Sequence, residues 1–214
     1  MRIHPDGWPY LAIAIALNAL LFAVAGWWGW LLVPLAIWCI AFFRDPERSV
    51  PQGDGLVVSP ADGVLLPVIE AVPPQELGMG TAKLRRLSIF MNVFNVHVNR
   101  VPADGTVTAL AYRPGKFVNA SFDKASEHNE RMAVHIRLAG GGELAVVQIA
   151  GLVARRIRCD LRKDQQVRKG ERFGIIRFGS RLDVYLPPEA AIGVNKGERV
   201  KAGETVLATL NRKG

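Results

Sequence analysis

The chain has 214 residues, half of them apolar, with 27 Lys and Arg against 19 Asp and Glu for a net charge of +8. The apolar fraction excludes a disordered chain and the lack of a Gly-X-Y period excludes collagen; Cys39 and Cys159 alone cannot build a disulfide scaffold and point to a reducing compartment. A mean hydropathy of +0.16 beside a pI near 9.9 means that a very apolar segment coexists with a basic soluble part.

The apolar segment comes first. Between Trp8 and Phe43 there is no Asp, Glu, Lys or Arg, a run longer than the ~20 residues one helix needs to cross a bilayer core and far longer than the ~7–15 of a signal peptide. Gly26 and Gly29 stand among Trp27, Trp28 and Trp30, with Pro34 beyond, so the run is read as two short helices, roughly 9–25 and 30–43, around an aromatic turn. Arg2 before the run and Arg44 and Arg48 after it make both flanks positive, which a hairpin with both ends on the cytoplasmic side accommodates; a single tilted span would leave the sidedness open. The expected division is a membrane-anchoring segment 1–48 and a soluble domain 49–214 on the cytoplasmic face of a cell membrane, its basic excess against an anionic lipid surface. The positive charge forms no Lys/Arg stripe interleaved with aromatics, so nucleic acid is not an expected partner.

After Pro51 the chain turns to short β-branched runs broken by Gly, Pro and Asp, such as GLVVSPADGVLLPVIE, MAVHIRLAG, ELAVVQIAG and ERFGIIRFG. These predict strands and turns, hence a mainly β fold, a sandwich or barrel of hairpins, with Asp123–Asn129 at most a turn or two of helix. One repeat stands out: Val167–Arg172 (VRKGER) recurs as Val194–Arg199 (VNKGER), each before an apolar strand. It suggests equivalent turns in a pseudo-symmetric fold of lipoyl-like character.

Four places carry potential chemistry. Gly179 and Ser180 stand between two strands, where a plain turn is the simplest reading. A serine hydroxyl can also attack the carbonyl before it, and glycine tolerates the strained backbone this needs. β-Elimination from the resulting ester breaks the chain and leaves the former serine as a pyruvoyl group, a built-in electrophile. Asp62 lies in Ser59–Gly63 (SPADG); its tetrapeptide recurs at Asp104, where it reads as a hairpin turn. In Val93–Pro102 the alternation places Asn95, His97 and Asn99 on one strand face, with Arg100 a step beyond, as a pocket able to accept an anion. Ala150–Cys159, with Arg155, Arg156 and Arg158 and then Arg162 and Lys163, is a basic edge suited to phosphate or a lipid surface. His135 alternates within an apolar strand and reads as packed, His128 is a weaker candidate, and no metal site is expected.

Taken together, Phe42–Arg48 (FFRDPER), Ser59–Gly63, Asn92–Arg100 (NVFNVHVNR), Gly115–Ala120 (GKFVNA), Asn129–Arg131 (NER) and Phe178–Ser180 (FGS) resemble phosphatidylserine decarboxylase in its short form, and they occur in family order. The resemblance implies a proenzyme that cuts itself between Gly179 and Ser180. The products are a large chain 1–179 and a small chain 180–214 capped by a pyruvoyl group made from Ser180, with no external cofactor. Phosphatidylserine would lose CO₂ to give phosphatidylethanolamine, the pyruvoyl carbonyl acting as electron sink. Asp62 matches the acid expected to help activate Ser180, and His97 a histidine expected near the headgroup and the decarboxylation step. The family's long form has a second histidine three residues after His97. This chain has Arg100 there, so either the base function is met otherwise, by Asp62 alone or by His97, or the triad of acid, histidine and serine does not hold for short forms. A homodimer is an admissible partner.

Two other classes compete. A membrane-anchored, lysostaphin-like zinc endopeptidase would share the Asp-Gly hairpins, but Asn99 stands where its second histidine should be. A non-enzymatic lipoyl-like carrier or adaptor would rest on the Lys-Gly-Glu repeat alone.

Overall fold

The computed structural model describes residues 2–115, 129–151, 156–177 and 180–210. The chain forms two compact units, Met1–Glu47 with Phe94–Val96, and Arg48–Val93 with His97–Gly214.

In the first unit, β1 (Arg2–Ile3) leads into α1 (Trp8–Ala25), a 3-10 stretch Gly26–Leu32, α2 (Val33–Phe42) and β2 (Arg44–Asp45). A proline opens the first turn of each helix, where its missing N–H costs nothing, and Gly26, at φ +56°, stops α1. The second helix is shorter than predicted because Trp30–Leu32 continue the 3-10 stretch. β1 and β2 pair antiparallel, Arg2 opposite Asp45, and the His4 N–H donates to the Phe43 carbonyl at 2.8 Å. Those bonds tie the two ends of the apolar run together, so it is a hairpin. Its most apolar window has a mean hydropathy of 2.0 and is only 6% buried, leaving a large apolar surface exposed.

The second unit opens with β3 (Leu56–Val58), β4 (Gly63–Leu65), β5 (Ile69–Ala71) and β6 (Leu84–Met91). Then come β7 (Val98–Arg100), β8 (Gly105–Arg113), β9 (Arg131–Leu138), β10 (Glu143–Ile149), β11 (Ile157–Cys159), β12 (Gln166–Val167) and β13 (Arg172–Ile176). β14 (Ser180–Leu186), β15 (Ala191–Ile192), β16 (Arg199–Val200) and β17 (Val206–Thr209) close it. The protein is mainly β, as the strand runs predicted, and its largest sheet curls into a half-barrel. Among the described residues that sheet has nine strands in the order β12-β8-β9-β10-β14-β6-β4-β16, with β5 beside β6; β11-β13-β7 and β15-β17-β3 form two smaller sheets.

These orders reveal an internal duplication. Matching β3, β4, β6, β14, β15, β16 and β17 with β7, β8, β9, β10, β11, β12 and β13 maps each sheet onto itself or its counterpart, with a pseudo-dyad at the Val146–Val184 pair. One copy, β7 to β13, is continuous and is inserted into the other between β6 and β14. The two Pro-Ala-Asp-Gly stretches are equivalent: Val58 N–H donates to the Pro102 carbonyl at 2.8 Å and Arg100 N–H to the Pro60 carbonyl at 2.9 Å. The two Lys-Gly-Glu turns share a conformation, Arg168 and Asn195 N–H each donating to the Glu three residues on at 3.0 Å, but the pseudo-dyad pairs Val167–Glu171 with Val200–Glu204. Val200–Glu204 is a third such turn, hidden in the sequence because Ala202 stands for the lysine; Gly170, Gly197 and Gly203 sit at φ +81°, +84° and +76°.

Strand alternation sends Leu87, Ile89, Met91, Leu144, Val146, Leu182 and Val184 to the main core on the inner face. Val147, Ile149 and Tyr185 go to a smaller cluster under Leu77 on the outer face. That outer face also buries an ion pair: Arg181 grips Asp183 with two bonds of 2.7 and 2.8 Å, at 1% and 0% side-chain exposure, and Arg86 Nε lies 3.7 Å from the same carboxylate. Removing one member of such a pair leaves a charge stranded, at about 3–5 kcal/mol. Asp183→Asn is therefore expected to lower the midpoint of thermal unfolding in detergent by roughly 10 °C, followed by circular dichroism.

Candidate active site

Ser180 opens β14 directly opposite Met91, the last residue of β6. It lies where the chain leaves the inserted copy, and Met91 lies where the chain enters it, so both joints of the duplication meet here. Alternation turns Ser180 to the inner face with Met91 and Leu182, and it is fully buried. Its hydroxyl reaches the Met91 sulfur at 3.9 Å, a weak bond and its one hydrogen-bond contact among the described residues. From the other side Asn99 Nδ2 of β7 reaches the same sulfur at 3.9 Å, and Gln148 Nε2 of β10 donates to Asn99 Oδ1 at 2.9 Å. Gln148 Oε1 is buried with no hydrogen-bond partner among the described residues. The result is a buried pocket in which a hydroxyl, a polarizable thioether and two amides converge, with acceptor capacity unspent. A small carbonyl group on residue 180 fits these surroundings in size and polarity.

His97 is also fully buried, two residues before Asn99. Its carbonyl accepts from Ile176 N–H at 3.4 Å, four residues before Ser180. The structure corrects the sequence reading of one polar face over Val93–Pro102. The alternation holds only from Val98 to Arg100, because 93–95 form a turn, and His97, Val98, Asn99 and Arg100 are all buried. Asn95 belongs to the turn.

Asp62 does not touch Ser180. It precedes β4, which pairs with the far edge of β6, so the two residues are separated by two strand spacings, about 10 Å. Its carboxylate accepts the Ala202 N–H at 2.8 Å and two bonds from Arg48 Nη2 at 2.8 and 3.0 Å. The first of these is a turn cap, for the pseudo-equivalent Asp104 accepts the Lys169 N–H at 2.8 Å in the same way. What sets Asp62 apart is the ion pair with Arg48, whose side chains are 8% and 14% exposed. Arg100, in the position of the long form's second histidine, sends Nη1 to the Gly170 carbonyl at 2.8 Å.

Of the remaining candidates, several lie outside the described residues, and Arg158 reaches the pocket only through its carbonyl, which accepts from Gln148 Nε2 at 3.3 Å. His135 is engaged by Glu143 across the strand pair at 3.2 Å. Burial pushes the Cys159 thiol up to about 11, so at neutral pH it is a protonated thiol and no nucleophile. In the basic edge, Arg158 pairs with Asp160 at 2.7 Å, while 152–155 lie outside the described residues. So do Gly179, the other half of the expected cleavage bond, as well as Phe178, Lys116–Ala120 and His128. Gln148 and Met91 were not singled out from the sequence. A signal existed for Gln148: in ELAVVQI it is the lone polar residue on the face otherwise made of Leu144 and Val146.

Fold and site together define an internally duplicated β domain with a buried polar pocket where its two copies are joined. The sequence profile of phosphatidylserine decarboxylase matches residues 35–208. A phosphatidylserine decarboxylase proenzyme of Paramagnetospirillum magneticum is 57% identical over 210 residues, covering 98% of this chain and 87% of that protein. Proteins of the same name from Cereibacter sphaeroides and Rickettsia bellii are 57% and 52% identical, covering 97% and 99% of this chain and 90% and 91% of theirs. The chain belongs to the phosphatidylserine decarboxylase family. Neither the zinc endopeptidase nor the carrier reading draws support from these relatives.

Proposed function

We propose that the pocket around Ser180 is the active site of a self-processing enzyme that decarboxylates phosphatidylserine, leaving phosphatidylethanolamine. The observation that carries this is the setting of Ser180: a buried, weakly held hydroxyl at the first residue of a strand, sharing the Met91 sulfur with the Asn99–Gln148 amide pair. In the uncut chain the Ser180 hydroxyl attacks the Gly179 carbonyl and the acyl group moves from nitrogen to oxygen; β-elimination releases Gly179 as a carboxylate, and the dehydroalanine left at 180 tautomerises to an imine that water hydrolyses to the ketone and ammonia. The small chain 180–214 then stays in place without a covalent link. β14 is paired along its length on both sides, with β6 and with β10, and cannot leave without unzipping both ladders. A pyruvoyl group at residue 180 would be held in β14 between β6 and β10 and would supply a ketone as electron sink for the loss of CO₂. Asn99 and Gln148 act on residue 180 through Met91, which Asn99 holds, the inner core excludes water, and His97 serves the headgroup and the proton that replaces CO₂.

Asp62 promotes self-cleavage from across β6, through its charge and its hold on Arg48 and the Val200–Glu204 turn. Asp62→Asn and Asp62→Ala are both expected to slow processing at least tenfold in a pulse-chase gel, whereas Asp104→Ala leaves it unchanged. Normal processing of Asp62→Asn beside a failing Asp62→Ala would reduce Asp62 to a turn cap. The apolar hairpin anchors the enzyme in a cell membrane with the catalytic domain on the cytoplasmic face, since Arg2, Arg44 and Arg48 flank it on both sides.

The test is an intact mass of the detergent-solubilised protein. Two chains split after Gly179, the smaller lighter than its plain sequence by one ammonia, are expected. A single chain with unmodified Ser180 in an active preparation overturns the reading.

A further inference from the structure

The connection between β6 and β7 leaves the sheet unit and returns to it: Phe94–Val96 belong to the compact unit of the apolar hairpin, Val93 and His97 to the other. At the tip, Phe94 is 70% exposed. Its carbonyl accepts from Arg44 Nη2 at 2.7 Å, and Nη1 of the same guanidinium donates to the Ala41 carbonyl in the last turn of α2. Arg44 is the first charged residue after the run Trp8–Phe43. An arginine at the end of an apolar helix keeps its guanidinium at the level of phosphates and water, so Arg44 marks where hydrocarbon gives way to headgroups. Being bonded to Arg44, the Phe94 turn is held at that level, with a large apolar ring and no charged neighbour between Asn92 and Val96.

We propose that Phe94 is a lipid-seated wedge: its ring enters the edge of the bilayer's hydrocarbon and sets the height at which a membrane-resident phosphatidylserine meets the site. The distances agree. His97 follows three residues later, at most about 10 Å of extended chain, and the headgroup layer of one leaflet is about 5–8 Å deep. Chain connectivity alone keeps His97 within that reach of Phe94, so a lipid with its acyl chains beside Phe94 can offer its serine to His97 without being lifted from the membrane. The proposal rests on the anchoring and site assignments above, each of which has its own readout in the wild-type protein. Flotation with phosphatidylcholine vesicles reports anchoring, and the mass of the small chain reports Ser180.

The experiment compares Phe94→Ser and Phe94→Trp, full length, on phosphatidylserine in phosphatidylcholine vesicles and on a short-chain phosphatidylserine below its micelle concentration. Phe94→Ser is expected to self-cleave fully and to turn over the soluble substrate within about twofold of wild type. Its kcat/KM on vesicles should fall at least tenfold, and Phe94→Trp should restore it. Equal rates on vesicles, or a matching loss on both substrates, overturns the proposal. A second reading uses a cysteine at position 94 in a Cys39→Ser, Cys159→Ser background, carrying an environment-sensitive fluorophore. Blue-shifted emission quenched by nitroxides high on the acyl chains is expected, and emission of a water-exposed probe overturns the wedge.

Discussion

Ser180→Ala is expected to leave the full-length chain uncut and without decarboxylase activity. The hydroxyl is both the attacking group and the source of the pyruvoyl carbonyl, so no other side chain can take over either part. The structure makes the failure chemical and not structural. Ser180 gives up one weak contact to the Met91 sulfur, at a cost under about 1 kcal/mol, and its backbone pairing with Met91 is kept. The unfolding midpoint should therefore shift by only a few degrees while the small chain is missing from the gel. An uncut yet active Ser180→Ala protein would remove Ser180 from the mechanism altogether.

His97→Ala is expected to separate the two activities, with self-cleavage completed and turnover lowered by about 10²–10⁴, the usual worth of a positioned proton-transfer group. Its main-chain bond to Ile176 survives the substitution, so the strand leading to Ser180 keeps its support. The loss should lie in kcat more than in KM, and a His97→Gln variant, which fills the space without a titrating ring, should be as slow. If His97→Ala accumulates uncut chain instead, the imidazole belongs to the cleavage step. Together with the Asp62 variants, this comparison decides which group stands in for the histidine that Arg100 replaces.

Much of the architecture was legible because it is written in local patterns. A run without charge from Trp8 to Phe43, glycines among its tryptophans and arginines at both ends describe a hairpin without reference to any other part of the chain. β-Branched runs between Gly, Pro and Asp describe strands, and two copies of a Lys-Gly-Glu turn hinted at symmetry. Gln148 was missed because periodicity weighs faces by their majority, and one polar residue on an apolar face reads as noise until Asn99 is seen opposite it. The alternation drawn through Asn95 failed for the reverse reason: a turn at 93–95 interrupts the period, and nothing in VFNVHVN marks it as Gly or Pro would.

By itself the sequence determined the secondary structure, the apolar hairpin and the motifs Asp62, His97 and Gly179–Ser180, since backbone preference, side-chain period and residue chemistry act over a few positions. Only the tertiary structure decided how the two copies interleave, with β7 to β13 inserted between β6 and β14. It alone set Ser180 against Met91, 89 residues away in sequence, kept Asp62 across the strand, and gave Asp62 the Arg48 that Asp104 lacks. Strand pairing joins segments of any separation through the same N–H and C=O groups, so which strands are neighbours is settled by how the whole apolar surface is buried at once.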